Sequence, residues 1–119
     1  GHKEKHNTRG VEHMVEENTY KEFTRKTAQY PKEREMDYLM IGLANEVGEL
    51  LGKYKKMIRG DSTKQSFDGW IGEIGDIMWY LMRICDVLDI TLQEVLDYNI
   101  AKLTKRLAED SIKGDGDER

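Results

Sequence analysis

Apolar residues recur at intervals of three and four along most of the chain, and this spacing predicts amphipathic helices. Thr19 and Glu22 have the spacing of a capping box, so the first helix is expected to begin at Thr19. Pro31 disfavours helical geometry at the residue before it, which ends this helix near Gln29. A second capping box, residues 91–94, is expected to open the last helix. The four predicted helices cover about 19–29, 35–59, 66–88 and 91–109.

No segment alternates apolar and polar residues as a strand would, and the joints between the predicted helices are short. Short joints favour antiparallel neighbours, so we predict an all-α, four-helix antiparallel bundle. The apolar edges of the two long central helices favour self-association, and homo-oligomerisation would complete the core. We expect one domain over residues 14–110 and a flexible acidic tail over 111–119. Residues 1–13 resemble a tag or vector-derived arm that ends before Met14.

Composition and charge exclude several classes of protein. The chain of 119 residues has 19 basic and 23 acidic side chains, and its net charge of −4 argues against a dedicated nucleic-acid binder. No apolar run approaches the roughly 18–20 residues that cross a membrane, and no secretory segment is expected. The one cysteine, Cys85, fits a reducing compartment. We therefore expect a cytoplasmic protein without membrane or nucleic-acid partners.

Two pairs of acidic residues flank the apolar faces of the central helices. Glu46 and Glu49 form an E-x-x-E pair, and residues 50–72 separate it from the E-x-x-D pair Glu73 and Asp76. Residues three apart lie on the same side of a helix. If the two helices pack antiparallel, all four carboxylates can converge.

Four converging carboxylates repel one another unless a cation joins them, and Mg²⁺ or Mn²⁺ prefers such oxygen ligands. All three histidines precede Met14, which argues against zinc and against a di-iron bundle. Lys53 and Lys56 follow on the same helix and could bind the phosphates of a substrate. Acid pairs at this spacing are also common on solvated helices. Six glycines beside the pairs, each costing about 1 kcal/mol relative to alanine, favour close helix approach or room for a ligand.

Residues 43–50, LANEVGEL, and residues 73–81, EIGDIMWYL, resemble the MazG-like nucleoside triphosphate pyrophosphohydrolases of the all-α NTP pyrophosphatase superfamily. The resemblance covers about residues 17–108. It implies Mg²⁺-dependent hydrolysis of (d)NTP between the α and β phosphates, giving (d)NMP and pyrophosphate, in a homodimer or homotetramer. The biological role would be control of a nucleotide pool.

The resemblance also implies roles for individual residues. The metal ligands would be Glu46, Glu49, Glu73 and Asp76. Asn99 and Lys102 match positions that face the nucleotide in relatives. Glu46 is our candidate for the base that accepts a proton from water, because it lies nearest the apolar face.

One residue departs from the family pattern. The usual first motif is E-E-x-x-E, and its leading acid is replaced here by Asn45. Two alternatives therefore stay open: a narrow-substrate relative, acting on dUTP, dCTP or phosphoribosyl-ATP, and a non-catalytic helical interaction module. Among the aromatic residues, Phe23, Tyr30 and Trp79 could each contact a nucleotide base. We favour core packing for Phe23 and Tyr30 and a contact with another subunit for Trp79.

Overall fold

The computed structural model describes residues 16–60 and 67–113, and their regular structure is helical. We name four α-helices in chain order and note a 3₁₀ turn at Lys32–Arg34. The helices are α1 (Glu17–Thr27), α2 (Glu35–Arg59), α3 (Phe67–Val87) and α4 (Leu92–Lys113). These residues contain no strand, which confirms the all-α class. None of the described helices is long and apolar enough to cross a membrane.

Helix α1 begins earlier than the sequence predicts. Its N-cap is Glu16, whose side chain makes no capping hydrogen bond, and Thr19 lies inside the helix. The prediction of a capping box at Thr19 is therefore wrong. The backbone N–H of Tyr20 donates to the Glu16 carbonyl at 3.1 Å, which adds helical residues before the threonine. The helix ends at Thr27, before the predicted Gln29, because Ala28 leaves helical geometry with ψ at 89°.

The termini of α2 and α4 follow their local sequence closely. Helix α2 has both predicted ends, and Gly60 closes it in the left-handed region at φ 83°, which glycine adopts without a steric penalty. The predicted capping box of α4 is present. The Glu94 N–H donates to Thr91 Oγ1 at 3.0 Å, and the Thr91 N–H donates to Glu94 Oε1 at 2.7 Å. Helix α4 continues to Lys113, beyond the predicted end at Glu109. The arm over 1–13, residues 61–66 with the predicted start of the third helix at Ser66, and residues 114–119 of the tail lie outside the described residues.

Contacts within the chain divide it into two compact units, residues 1–84 and 85–119. In the first unit, α2 and α3 run antiparallel. Early residues of α2 meet late residues of α3, as Glu35 pairs with Arg83, and late residues of α2 meet early ones, as Tyr54 contacts Trp70. This direction places the middle of α2, with its acid pair, beside the acid pair of α3.

The second unit contains the last residues of α3, a tight turn and α4. Asp89 adopts a left-handed conformation at φ 58°, and the Ile90 N–H donates to the Cys85 carbonyl at 3.0 Å. This is the hydrogen-bonding pattern that commonly closes a helix. The Cys85 side chain is buried, as is common for cysteines outside disulfides.

A buried arginine joins the helices of the first unit. The Arg83 side chain on α3 is 7% exposed, and its guanidinium donates to Thr24 Oγ1 on α1 at 3.3 Å. It also donates to the Tyr30 hydroxyl and to Glu35 Oε2, both at 3.5 Å. The Tyr30 hydroxyl in turn donates to Glu35 Oε2. Arg83 therefore links α1, the connection after it and the start of α2 to α3.

Few apolar side chains are buried among the described residues. The buried ones are Ala28, Leu39 and Met82 in the first unit and Cys85 in the second. Many large apolar side chains on α2 and α3 are exposed, including Ile41, Leu51, Ile58 and Ile71. Such an extended apolar surface is typical of a protein that associates with a partner.

Gly42 allows close approach of the two central helices. A Cβ at this position would lie 2.2 Å from Cε1 of Tyr80, whose ring also packs edge-to-face on Trp79 at 5.0 Å. Because the ring is packed on both sides, we expect Gly42→Ala to lower the free energy of unfolding by about 1–3 kcal/mol. Urea denaturation followed by circular dichroism measures this change.

Gly48→Ala is the matched control for this prediction. Gly48 lies in the same helix, and a Cβ there would meet nothing within 4 Å. Its replacement is expected to stabilise the protein by up to about 1 kcal/mol through helix propensity alone. Equal stabilisation by both substitutions would contradict the tight packing of Tyr80 on Gly42.

Candidate functional site

Three carboxylates converge between α2 and α3. Glu46 lies on α2, and Glu73 and Asp76 lie three residues apart on α3. One carboxylate oxygen from each of the three lies within 4.8 Å of the other two. We call these residues the acid cluster. The structure thus brings together three of the four acidic residues that the sequence singled out.

The fourth acid, Glu49, stands apart from the cluster. Its side chain is exposed, and it does not belong to the group whose oxygens lie within 4.8 Å of one another. Its charge still reaches Glu46, where it helps to raise the pKa. A ligand role for Glu49 stays a prediction.

The electrostatics of the acid cluster disfavour three negative charges in the absence of a cation. Burial raises the pKa of Glu46 above its ordinary value, and the neighbouring charges of Asp76 and Glu73 raise it further. Burial and the charge of Asp76 also raise the pKa of Tyr20 on α1. The charge of Asp76 thus contributes to both shifts, after burial.

One oxygen of the acid cluster lacks a hydrogen-bond partner. Glu73 Oε1 is buried and unpaired, an arrangement that costs free energy for any polar atom and more for a charged one. A hard cation would satisfy this oxygen, and a set of carboxylate oxygens suits Mg²⁺ or Mn²⁺. The residues present therefore fit a divalent metal ion.

A lysine borders the acid cluster. The Lys53 Nζ atom lies 3.5 Å from Glu73 Oε2, and the two side chains are 35% and 14% exposed. Lys56, three residues further along α2, is exposed. Binding of substrate phosphates by either lysine stays a prediction.

A pocket of about 390 Å³ opens beside the acid cluster. Glu46 and Asp76 contribute its acidic side, and α1 and the aromatic residues of α3 contribute the rest. The lining consists of Phe23, Thr27, Glu46, Asp76, Trp79 and Tyr80. This volume falls within the range of small-molecule sites, and aromatic walls with a few polar groups are typical of them.

For the aromatic wall of this pocket, the sequence analysis favoured other roles than lining a site. Phe23 is 56% exposed, so the expectation that it packs in the core is wrong. Trp79 Nε1–H donates to Thr27 Oγ1 at 2.8 Å, and the indole packs edge-to-face on Tyr30 and Tyr80 of the same chain. One available signal was spacing, because Trp79 lies three residues after Asp76 and hence on the same side of α3.

The two candidate residues of α4 lie in the second unit. Asn99 and Lys102 are both exposed there and are three residues apart. Their contact with a nucleotide stays a prediction. Asn45, where the family pattern has an acid, is an exposed residue of α2.

The raised pKa of Glu46 predicts a pH-dependent effect of Glu46→Gln. A carboxyl whose pKa is raised by folding stabilises the fold at low pH, and this stabilisation is lost as the pH rises through the folded-state pKa. In EDTA at pH 7, the variant should therefore unfold at a higher temperature than the wild type. Below pH 4.5, the ordinary pKa of the group, the difference should vanish.

With saturating Mn²⁺ at pH 7, the wild type should instead unfold at a higher temperature than Glu46→Gln. It has the complete set of carboxylates, so the bound ion should stabilise it more. Thermal unfolding across pH, with Mn²⁺ and with EDTA, measures both effects. A variant less stable than the wild type in EDTA at pH 7 would contradict the proposed repulsion.

Comparison with known proteins agrees with this architecture. The family described as the MazG nucleotide pyrophosphohydrolase domain matches residues 34–109, which contain the whole acid cluster. Gene 37 protein of Mycobacterium phage L5 is 36% identical over 102 residues, covering 78% of this chain and 90% of that protein. No solved structure gives a significant match. The matched range begins after α1 and therefore does not cover Phe23 and Thr27.

Proposed function

This chain belongs to the MazG nucleotide pyrophosphohydrolase family, and on that basis we propose that it hydrolyses nucleoside triphosphates between the α and β phosphates. The products are a nucleoside monophosphate and pyrophosphate, and the biological role is control of a nucleotide pool. The catalytic domain that we propose covers residues 14–110. The resemblance seen in the acid pairs is confirmed at the level of the family.

The observation that carries this proposal is the position of the acid cluster at the edge of an aromatic pocket. A triphosphate substrate has a negatively charged end, which needs cations, and a flat base, which needs an apolar surface. The carboxylates of Glu46, Glu73 and Asp76 supply a place for the cations. Phe23 and Trp79 supply aromatic surface within the same pocket. The two parts of the site match the two parts of the substrate.

Glu46, Glu73 and Asp76 would hold a Mg²⁺ ion, with Glu49 as a fourth ligand. A bound divalent ion supplies positive charge to the phosphate oxygens and the departing pyrophosphate. Glu46 lines the pocket and accepts a proton from the attacking water. Burial and its acidic neighbours raise the pKa of this carboxyl while no cation is bound, and this repulsion favours binding of the ion.

The substrate base would stack in the pocket against Phe23 or Trp79. The hydrogen bond from Trp79 to Thr27 fixes the orientation of the indole and joins α3 to α1. A fixed aromatic ring loses little conformational entropy when it binds a ligand. Lys53, Lys56, Asn99 and Lys102 complete the proposed substrate-binding residues, with the lysines of α2 assigned to the phosphates.

Release of pyrophosphate tests this function directly. A panel of ribo- and deoxynucleoside triphosphates is incubated with the protein in Mg²⁺, in Mn²⁺ and in EDTA. We expect pyrophosphate and the monophosphate in equal amounts, only with a divalent ion. Release of inorganic phosphate instead would contradict cleavage between the α and β phosphates, and the ranking of substrates identifies a narrow preference.

The absence of both metal binding and turnover would favour the non-catalytic interaction module. The exposed Asn45, which replaces an acid of the family pattern, is the feature that supports this second possibility. Mn²⁺ binding without turnover of the panel would instead indicate a substrate outside it. The two results are therefore distinguishable in one set of experiments.

We further propose that the chain acts as a homodimer or homotetramer. Apolar side chains such as Ile41, Leu51 and Ile58 are more than half exposed along α2, whereas the buried core is small. A second copy of the chain would remove this surface from water. Light scattering coupled to gel filtration should give a mass of two or four chains, and a monomer at micromolar concentration would refute the proposal.

A further inference from the structure

Lys53 places a positive charge at the acid cluster. Its ammonium lies 3.5 Å from Glu73 Oε2, while the other oxygen of the same carboxylate, Oε1, is buried without a hydrogen-bond partner. Glu73 is the more buried partner of this ion pair, at 14% exposure. The same carboxylate is thus shared between an ion pair and the acid cluster.

A divalent ion at the acid cluster and the Lys53 ammonium would both interact with the Glu73 carboxylate. Both are attracted to the carboxylate, and each repels the other in proportion to the product of their charges. This repulsion acts at short range beside a partly buried group, where solvent screens it less than at an open surface. At equal distance this repulsion exceeds the attraction by which the lysine could orient the carboxylate, because the ion carries two charges and the carboxylate one.

We propose that Lys53 is an internal cation that competes with the divalent metal ion for Glu73 and so lowers the metal affinity of the acid cluster. This inference rests on the proposed metal-dependent function. In the absence of a divalent ion, the lysine relieves part of the repulsion among the three carboxylates. When a metal ion binds, the ammonium must either move away from Glu73 or remain beside it and be repelled by the ion. Either outcome lowers the affinity for the ion.

Lys53→Met tests the competition, because methionine keeps an unbranched apolar side chain and removes only the charged end. We expect the variant to bind Mn²⁺ about fivefold more tightly than the wild type at low ionic strength, which corresponds to about 1 kcal/mol. Titration of free Mn²⁺ by electron paramagnetic resonance measures the affinity without any nucleotide. The EDTA-treated variant should also unfold at a lower temperature, and Mn²⁺ should raise its Tm more than that of the wild type.

Two control variants separate competition from general charge. Lys53→Arg keeps a cation at the same position and should bind Mn²⁺ like the wild type. Lys56→Met removes an exposed charge one turn further along α2 and should change the affinity by less than about twofold.

Unchanged Mn²⁺ affinity in Lys53→Met would overturn the competition. Weaker Mn²⁺ binding by Lys53→Met would also overturn the competition. It would indicate instead that Lys53 orients the Glu73 carboxylate for the ion. In both cases Mn²⁺ binding by the wild type would leave the proposed function intact. A folded wild-type protein that binds no Mn²⁺ would instead refute the metal centre and this inference together.

Discussion

Asp76→Asn is expected to lower kcat/KM for metal-dependent pyrophosphate release by about a thousandfold. Asp76 contributes an oxygen to the acid cluster and lines the adjacent pocket, so it belongs to both parts of the proposed site. Stabilisation of phosphate charge by a metal ion is worth several kcal/mol, and each 1.36 kcal/mol corresponds to tenfold in rate. Asparagine has nearly the same shape as aspartate but lacks the negative charge that attracts the ion.

The substitution should not unfold the protein. Asp76 is exposed, and removal of its charge relieves repulsion that contributes to the raised pKa of Glu46. Asp68→Asn is the matched control, because Asp68 is an exposed acid of the same helix outside the acid cluster. It should keep wild-type activity. Steady-state assays of the two variants, with circular dichroism to confirm folding, decide the prediction, and full activity in Asp76→Asn would exclude Asp76 as a metal ligand.

Arg83→Met is expected to lower the free energy of unfolding by about 3 kcal/mol. The substitution removes donors to Thr24, Tyr30 and Glu35 at once. Thr24 is fully buried, and Glu35 is 23% exposed, so the carboxylate would lose its cationic partner in a partly desolvated position. Removal of one partner from a buried ion pair typically costs about 3–5 kcal/mol, and the partial exposure of Glu35 places this case at the lower end.

An exposed ion pair nearby provides a strong control. Arg34 lies 2.8 Å from Asp37, closer than Arg83 is to Glu35, but its side chain is 75% exposed and that of Asp37 is 60% exposed. Because of solvent screening, such a pair contributes at most about 1 kcal/mol to stability. Urea denaturation should therefore show a larger loss of stability for Arg83→Met than for Arg34→Met. Burial would then outweigh distance, because the N–O distance is shorter in the Arg34 pair. Equal effects of both substitutions would refute the structural role of Arg83.

Arg83 also helps to hold in place the helix that forms one side of the pocket. Arg83 binds α1 through Thr24, and α1 carries Phe23 and Thr27 into the pocket. In the double variant Arg83→Met/Glu35→Gln, the negative charge left without its cationic partner is also removed, and part of the lost stability should return. A double variant no more stable than Arg83→Met would assign the loss to packing and to Thr24 instead of to Glu35.

Local signals in the sequence predicted much of the helical framework. The ends of α2 and the capping box of α4 follow from residues within a few positions of each helix end. The pairing of acids three residues apart also follows from helical periodicity. The first helix is the exception, because Thr19 has the correct spacing for a cap but lies inside a helix that begins at Glu17. A cap side chain is only one of several contributions to where a helix starts.

The sequence by itself therefore determined the all-α class, the antiparallel direction of the two central helices and the family of the chain, since these depend on periodicity, short joints and linear motifs. The tertiary structure decided which residues meet across helices. It placed Glu46 with Glu73 and Asp76 but left Glu49 outside the cluster, brought Lys53 to Glu73, and joined Trp79 to Thr27. Such contacts depend on the axial register and rotation of one helix against another. Interactions distributed over the whole interface set that register, and no single motif encodes it.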